Sequence, residues 1–153
     1  MRLLVDTTYL MPAIGISVKE IPSDGMIRLK EEGHEIHASD ISIFELSAKG
    51  AKHIAAGTLS AERVARGIRA IVHDGTITMI PIHESALLLT AFRLRTMLGD
   101  FIDCLVLASA IEHCDALMTE DNDIRDLMSN REFDLLCRAT NPEFRIQKLA
   151  ETT

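Results

Sequence analysis

The residues best suited to chemistry in this sequence are carboxylates placed at the ends of apolar segments. Asp100 and Asp103 stand three apart at the head of the run Phe101 to Ala110. That spacing puts both acids on one side of the first turn of a helix whose remaining residues are almost wholly apolar. Ala116-Leu117-Met118 is too short for a helix and reads as a buried strand. It runs into Thr119, with Asp121 and Asp123 just beyond. Asp6 closes the apolar run Leu3-Leu4-Val5, and Glu45 falls one or two turns into a helix that opens near Ser39-Asp40.

Taken singly, most of these acids have a structural use. Asp100 fits an N-cap with Asp103 favoured by the helix dipole, Ser42-Ile43-Phe44-Glu45 fits a capping box, and Asp121 or Asp123 fits the cap of a following helix. Asp6 resists that reading. A carboxylate after a buried strand is usually paired or ligating, no basic residue follows it nearby, and Arg2 at the other end of the strand is poorly placed to reach it. Together the acids pose an electrostatic problem, since two carboxylates about 4 Å apart repel by roughly 1 to 4 kcal/mol, depending on the local dielectric. Apart from Arg125, no lysine or arginine lies within the acidic loops, so divalent cations are the natural neutralisers. An all-oxygen donor set suits Mg²⁺ or Mn²⁺ rather than zinc, and acids scattered along the chain suit Ca²⁺ less well. Mg²⁺ that keeps several waters on a carboxylate site can serve phosphodiester hydrolysis.

The elements that must position these acids alternate. Strands are expected at Arg2–Val5, Glu35–Ala38, in the stretch Ile77-Thr78-Met79-Ile80-Pro81-Ile82 with Pro81 as its downstream bound, and at Ala116–Met118, and Phe144 to Leu149 alternates like an edge strand. Helices are expected over Tyr9–Ile14, from Pro22 to Gly33, from Ser39 to about Ala56, from Ser60 to about His73, over His83–Leu98 and Ile102–His113, and over Asn122–Met128. Phe133-Asp134-Leu135-Leu136 fits either a helix or an extended segment. Strands apolar on both faces and separated by helices indicate a helix-rich α/β fold, a parallel-sheet α/β/α sandwich of four or five strands. Ligands bind at the carboxyl ends of such strands, where Asp6, Glu45, Asp103 and Asp121 can converge.

The composition narrows the classes further. The 153 residues are 47% hydrophobic, enough for a single domain spanning the chain with a sizeable core. A net charge of −7 argues against a broad nucleic-acid-binding surface, so a polyanion would be held locally or through cations. Three cysteines without a C-x-x-C pair read as buried and reduced, and no apolar run reaches membrane-spanning length, so a cytoplasmic protein without a membrane partner is expected.

Four stretches carry a family resemblance. Leu3-Leu4-Val5-Asp6-Thr7, Ser39 to Leu46 with Glu45, Asp103-Cys104-Leu105-Val106-Leu107-Ala108-Ser109-Ala110, and Thr119-Glu120-Asp121-Asn122-Asp123-Ile124 resemble, in order, the acidic motifs of PIN-domain proteins. In length and layout the chain is most similar to the ribonuclease toxins of toxin-antitoxin pairs, with the likeness running to about Leu127. Cys104 stands where the family often has alanine and Ile124 where an aromatic is common, and neither change removes a ligand. The resemblance implies a metal-dependent endoribonuclease with Asp6, Glu45, Asp103 and Asp121 as catalytic, metal-holding acids and Asp123 as a further ligand. Thr7, Thr119 and Asp100 would support them. It also implies an RNA substrate, a homodimer and an antitoxin partner. Lys49 and Lys52, four and seven residues after Glu45, either flank the acidic rim and contact phosphates or belong to a solvated helix face.

Two rival readings differ in class. One is a non-catalytic PIN-like module that binds RNA or protein and keeps the acids as relics. The other is a phosphotransfer receiver, which lacks here an acidic pair after the first strand and a lysine at the end of a last strand. His34 and His37 flank a turn and a strand start, a weak metal pair, and Cys104 reads as core. Arg63, Arg66 and Arg69 form a surface stripe, and Leu10, Met11 and Ile14 belong to the core or to a groove.

Overall fold

Leu3-Leu4-Val5 and Ala116-Leu117-Met118 alternate between two hydrophobic clusters, because successive side chains of a strand point to opposite faces. The computed structural model describes residues 1–152. Its five strands, β1 (Arg2–Val5), β2 (Glu35–Ser39), β3 (Ile77–Ile80), β4 (Ala116–Met118) and β5 (Arg145–Gln147), form one sheet in the order β3-β2-β1-β4-β5, every pair parallel. Leu3, Val5, Ile36, Ala38, Ala116 and Met118 pack on one face; Leu4, Ile80, Leu117 and Ile146 pack on the other. The expected helix-rich α/β fold with a parallel sheet is what the structure contains.

The helices are α1 (Thr7–Leu10), α2 (Gly25–Glu31), α3 (Ile41–Ala55), α4 (Ala61–His73), α5 (Ser85–Leu94), α6 (Phe101–His113), α7 (Asn122–Asp126) and α8 (Arg131–Thr140). Leu29 of α2, Leu46 of α3, and Val64 and Ile71 of α4 cover one face of the sheet. Residues of α5, α6 and α8 cover the other. Helix α6 is buried along most of its length, from Cys104 to Ile111, and so carries no amphipathic stripe. Truncating a fully buried residue such as Leu107 to alanine would cost about 2 to 5 kcal/mol, enough to threaten a fold of ordinary stability.

Several boundaries differ from the sequence expectation for local reasons. The helix expected over Tyr9–Ile14 starts earlier, at Thr7, and passes into a 3-10 turn over Met11–Ile14 with Pro12 in its first turn. Gly15 ends it at a φ of 94°, which favours glycine. Strand β3, by contrast, stops at Ile80 because Pro81 has no N–H for the ladder, the downstream bound the sequence indicated. Helix α5 is shorter than His83–Leu98, since Glu84 is still extended and the turn after Leu94 leaves the helix. The ambiguous Phe133 segment is helix α8, capped by the Asn130 side chain accepting from the Phe133 amide at 3.0 Å. The capping box at Ser42 does not form. Asp40 precedes α3, Ser42 Oγ is buried without a hydrogen-bond partner, and Glu45 is engaged elsewhere.

Arg2 pairs with Asp115 at 2.8 Å, which places it at the end of β1 remote from Asp6. The three cysteines are buried and free, and among the described residues no helix is long and apolar enough to cross a membrane.

Candidate active site

Strand order sets the location of the site. From β1 the chain steps to β2 and β3 on one side and then returns to β4 on the other, so β1 and β4 flank a topological switch point. At such a point the connections leave in opposite directions and open a crevice beyond the carboxyl ends of the strands. Asp6 follows β1 there, and Thr119 to Asp121 follow β4. The Asp6 amide donates to the Met118 carbonyl at 3.1 Å, carrying the β1–β4 pairing one residue past the assigned strand.

Asp6 is 8% exposed and doubles as the N-cap of α1, with Oδ1 accepting from the Thr8 amide at 3.0 Å. Its Oδ2 accepts from the Thr119 hydroxyl, which in turn accepts from the Asp121 amide at 3.1 Å. Thr7 donates to Glu45 Oε1 at 2.5 Å, binding the first turn of α1 to α3. Two threonine hydroxyls thus fix the rotamers of two acids across 113 and 38 residues of chain. Asp100 is the N-cap of α6, accepting from the Ile102 and Asp103 amides at 2.8 and 3.4 Å, as its spacing suggested. Asp121 caps α7, accepting from the Ile124 amide at 3.0 Å.

Burial pushes the Asp6 carboxyl up to about 6, against the hydrogen bonds from Thr119 and Thr8 that favour its charged form, and the charge of Glu45 adds to the rise. Asp103, half-buried, is pushed up to about 7. Burial is the largest cause, followed by the charges of Asp100, Asp121, Glu45 and Asp6. Asp103 therefore senses the other four carboxylates. Among the described residues no lysine, arginine or histidine forms an ion pair with Asp6, Glu45, Asp103 or Asp121. Arg125, adjacent in sequence, turns to Glu151 at 3.1 Å instead.

The donor chemistry fits a hard divalent cation: carboxylates whose charges raise the proton affinity of Asp103 and Asp6, with no cation among the described residues paired to them. The side chains do not stand in a finished coordination shell, because among the described residues no three His, Cys, Asp or Glu form a group close enough to hold a metal ion. Asp123 is exposed in the first turn of α7 and is not among the largest charges acting on Asp103. Lys49 and Lys52 are exposed on α3 beyond Glu45. His37 is largely buried in β2 with burial lowering its pKa, and neither ring nitrogen has a hydrogen-bond partner. Leu10 and Ile14 are core, while an apolar cavity of about 360 Å³ opens between α2, α4 and the 3-10 turn; it contains none of the acids.

Sequence reading assigned no role to Tyr9 or Glu120, yet the Tyr9 hydroxyl donates to Glu120 Oε1 at 2.7 Å beside the site. The one available signal is that Tyr9, the only tyrosine, sits in an apolar segment where a buried hydroxyl needs a partner.

Comparison with known proteins agrees with this architecture. The family model described as PIN domain matches residues 3–128. Among solved structures, the chain is similar to one described as VapBC2 from Rickettsia felis bound to a DNA fragment from their promoter. The TM-score is 0.59 at 17% identity, covering 97% of this chain and 98% of that one. No curated protein matches the sequence.

Proposed function

This chain belongs to the PIN-domain family, and on that premise we propose that it is a Mg²⁺- or Mn²⁺-dependent endoribonuclease, the toxin of a toxin-antitoxin pair. The observation that carries the reading is that Asp6, Glu45, Asp103 and Asp121 gather at the switch point, where the charges of the other three act on Asp103 and no cation among the described residues pairs with any of them. When bound, the metal ion supplies Lewis-acid activation of a water and neutralises charge at the phosphate.

The protein's own groups prepare that chemistry. Asp6, Glu45, Asp103 and Asp121 would hold the ion, with Asp123, exposed in the first turn of α7, as a further ligand. Thr119 and Thr7 fix the carboxylate oxygens of Asp6 and Glu45, so these ligands lose little rotamer freedom on binding. Asp100 is spent as the cap of α6, and its charge also raises the proton affinity of Asp103. Burial and the neighbouring charges raise the proton affinity of Asp103, so a cation bound there would compete with its proton. Lys49 and Lys52 face the phosphates of an RNA strand laid along α3. The neighbour's name pairs two proteins, VapB and VapC, and we extend this to an antitoxin partner for this chain, with a homodimer as its own assembly and the cytoplasm as its location.

One observation favours the alternative, a PIN-like module that binds RNA or protein without cutting: the acids do not stand in a finished metal-holding group. Calorimetric titration with Mn²⁺ tests the choice. Binding by the parent that weakens at least about tenfold in Glu45→Gln and in Asp121→Asn supports a four-acid site, since losing one carboxylate ligand costs more than 1.4 kcal/mol. Absence of binding, or equal binding by the parent and both variants, favours the non-catalytic module.

A further inference from the structure

Tyr9 connects three parts of the chain. It is 2% exposed, and its hydroxyl donates to Glu120 Oε1 at 2.7 Å while accepting from the Leu149 amide at 3.2 Å. Its own amide donates to the Asp6 carbonyl at 3.2 Å, so it rides on the turn that Asp6 caps. Glu120 directly precedes Asp121. Its other oxygen lies 3.8 Å from Lys148 Nζ. The C-terminal segment is fixed in the same place by Thr119 N donating to the Gln147 carbonyl at 3.0 Å and by the Arg125–Glu151 pair at 3.1 Å. One phenol thus joins the turn bearing Asp6, the turn bearing Asp121 and the last residues of the chain. Burial and the facing Glu120 carboxylate both raise the Tyr9 pKa, which keeps the hydroxyl a donor across the working pH range.

We propose that Tyr9 is a positioning residue: through Glu120 and Leu149 it holds the Thr119–Asp121 turn against α1 and the C-terminal segment, and so sets the spacing of Asp6 and Asp121. The value of that spacing for metal binding and cleavage rests on the nuclease reading above, whereas the latch itself does not. Two acids on different segments can share one ion only if the segments are held to within a fraction of an ångström. The Thr119 hydroxyl ties them directly, donating to Asp6 Oδ2 and accepting from the Asp121 amide at 3.1 Å, and so fixes the two ends of the 119–121 turn. Glu120, held by Tyr9, fixes its middle.

The test uses the full-length chain with Tyr9→Phe, Glu120→Ala and Glu120→Gln. Glutamine keeps an amide oxygen that accepts from Tyr9, so it is the conservative rescue of Glu120→Ala. Three readouts are compared: hydrogen exchange of the 119–124 amides in EDTA, Mg²⁺ affinity, and kcat against KM on RNA. Because the chain has one tyrosine and no tryptophan, intrinsic emission reports on Tyr9 itself, and relief of its carboxylate hydrogen bond is visible in Glu120→Ala. Tyr9→Phe and Glu120→Ala are expected to speed exchange in 119–124 about tenfold, weaken Mg²⁺ binding about tenfold and lower kcat with KM within about twofold, the loss of one charge-assisted hydrogen bond. Glu120→Gln is expected within about twofold of the parent on every readout.

Exchange at 119–124 and Mg²⁺ affinity both unchanged in Tyr9→Phe and Glu120→Ala would overturn the proposal, whatever happens to the melting temperature. If Tyr9→Phe does not fold, the contrast between Glu120→Ala and Glu120→Gln decides. A parent that cuts no RNA sinks the nuclease reading alone, and exchange still decides the latch.

Discussion

Replacing Asp6 by asparagine should stabilise the metal-free protein, against the usual expectation for a buried hydrogen-bonded group. A carboxyl raised from 3.8 to about 6 in the folded state binds its proton more tightly folded than unfolded. Its contribution to stability is therefore greatest below the unfolded value, declines as pH rises between about 4 and 6, and is lost above that. At 1.36 kcal/mol per pH unit, keeping Asp6 ionised at pH 7.5 costs the fold about 3 kcal/mol. Asparagine removes that cost. It still presents an oxygen to the Thr8 amide, but its NH₂ must face the Thr119 hydroxyl, which then loses an acceptor for its proton at about 1 to 1.5 kcal/mol. The net gain is about 1.5 to 2 kcal/mol, or roughly 3 to 8 °C in melting temperature for a chain of this size. At pH 4.5 the ionisation cost shrinks to about 1 kcal/mol and the advantage vanishes. Thermal melts of both proteins in EDTA at the two pH values measure this. A variant that melts lower than the parent at pH 7.5, or a difference that is the same at both pH values, would refute the electrostatic reasoning.

Other outcomes follow from the same geometry. Asp103→Asn in EDTA near pH 8 should leave the melting temperature unchanged or raise it, and should shrink the stabilisation that Mn²⁺ gives the parent, about 2.7 kcal/mol at a hundredfold excess over Kd; a marked loss of metal-free stability would make Asp103 a helix-dipole residue instead. Gly67→Ala would bring a Cβ to 2.3 Å from the Ala13 carbonyl oxygen where α4 crosses the 3-10 turn, and overpacking of that kind costs about 1 to 3 kcal/mol. Gly99→Ala meets nothing within 4 Å and is the matched control, so equal melting temperatures for the two variants would contradict the close approach.

What could be read in advance was what is local. The strand Ala116–Met118 and the Ser60 and Asp100 caps follow from short-range pattern, and each appears where its residues indicated. The helix at Phe133 was also local. Its cap signal was Asn130, but acidic and apolar residues alternate there closely enough to mimic an extended segment. The failures are competitions settled by residues far away in sequence. Glu45 has the spacing of a capping-box partner for Ser42, yet it accepts from Thr7 on another element. Arg125 sits beside Asp123 in sequence but pairs with Glu151, which the path of the C-terminal segment brings near. The edge strand at Phe144 to Leu149 was legible from its alternation and is β5, but its parallel pairing with β4 depends on the same path. For the site, residue type and position relative to strand ends marked the acids, because carboxylates beyond buried strands are costly without compensation. The hydroxyls that orient them, and the Tyr9–Glu120 contact across 111 residues, depend on tertiary proximity that spacing does not encode.

We propose that Asp6, Glu45, Asp103 and Asp121 hold a divalent cation with which this chain cuts RNA. The most direct test is cleavage of a mixed-sequence RNA by purified protein in EDTA, Mg²⁺ and Mn²⁺, with Asp6→Asn purified in parallel to expose contaminating nuclease. Cleavage that requires metal and falls at least about a hundredfold in the variant, the scale of losing a metal-orienting ligand, is the expected result. Equal cleavage by both proteins, or none by the parent in either metal, would contradict it.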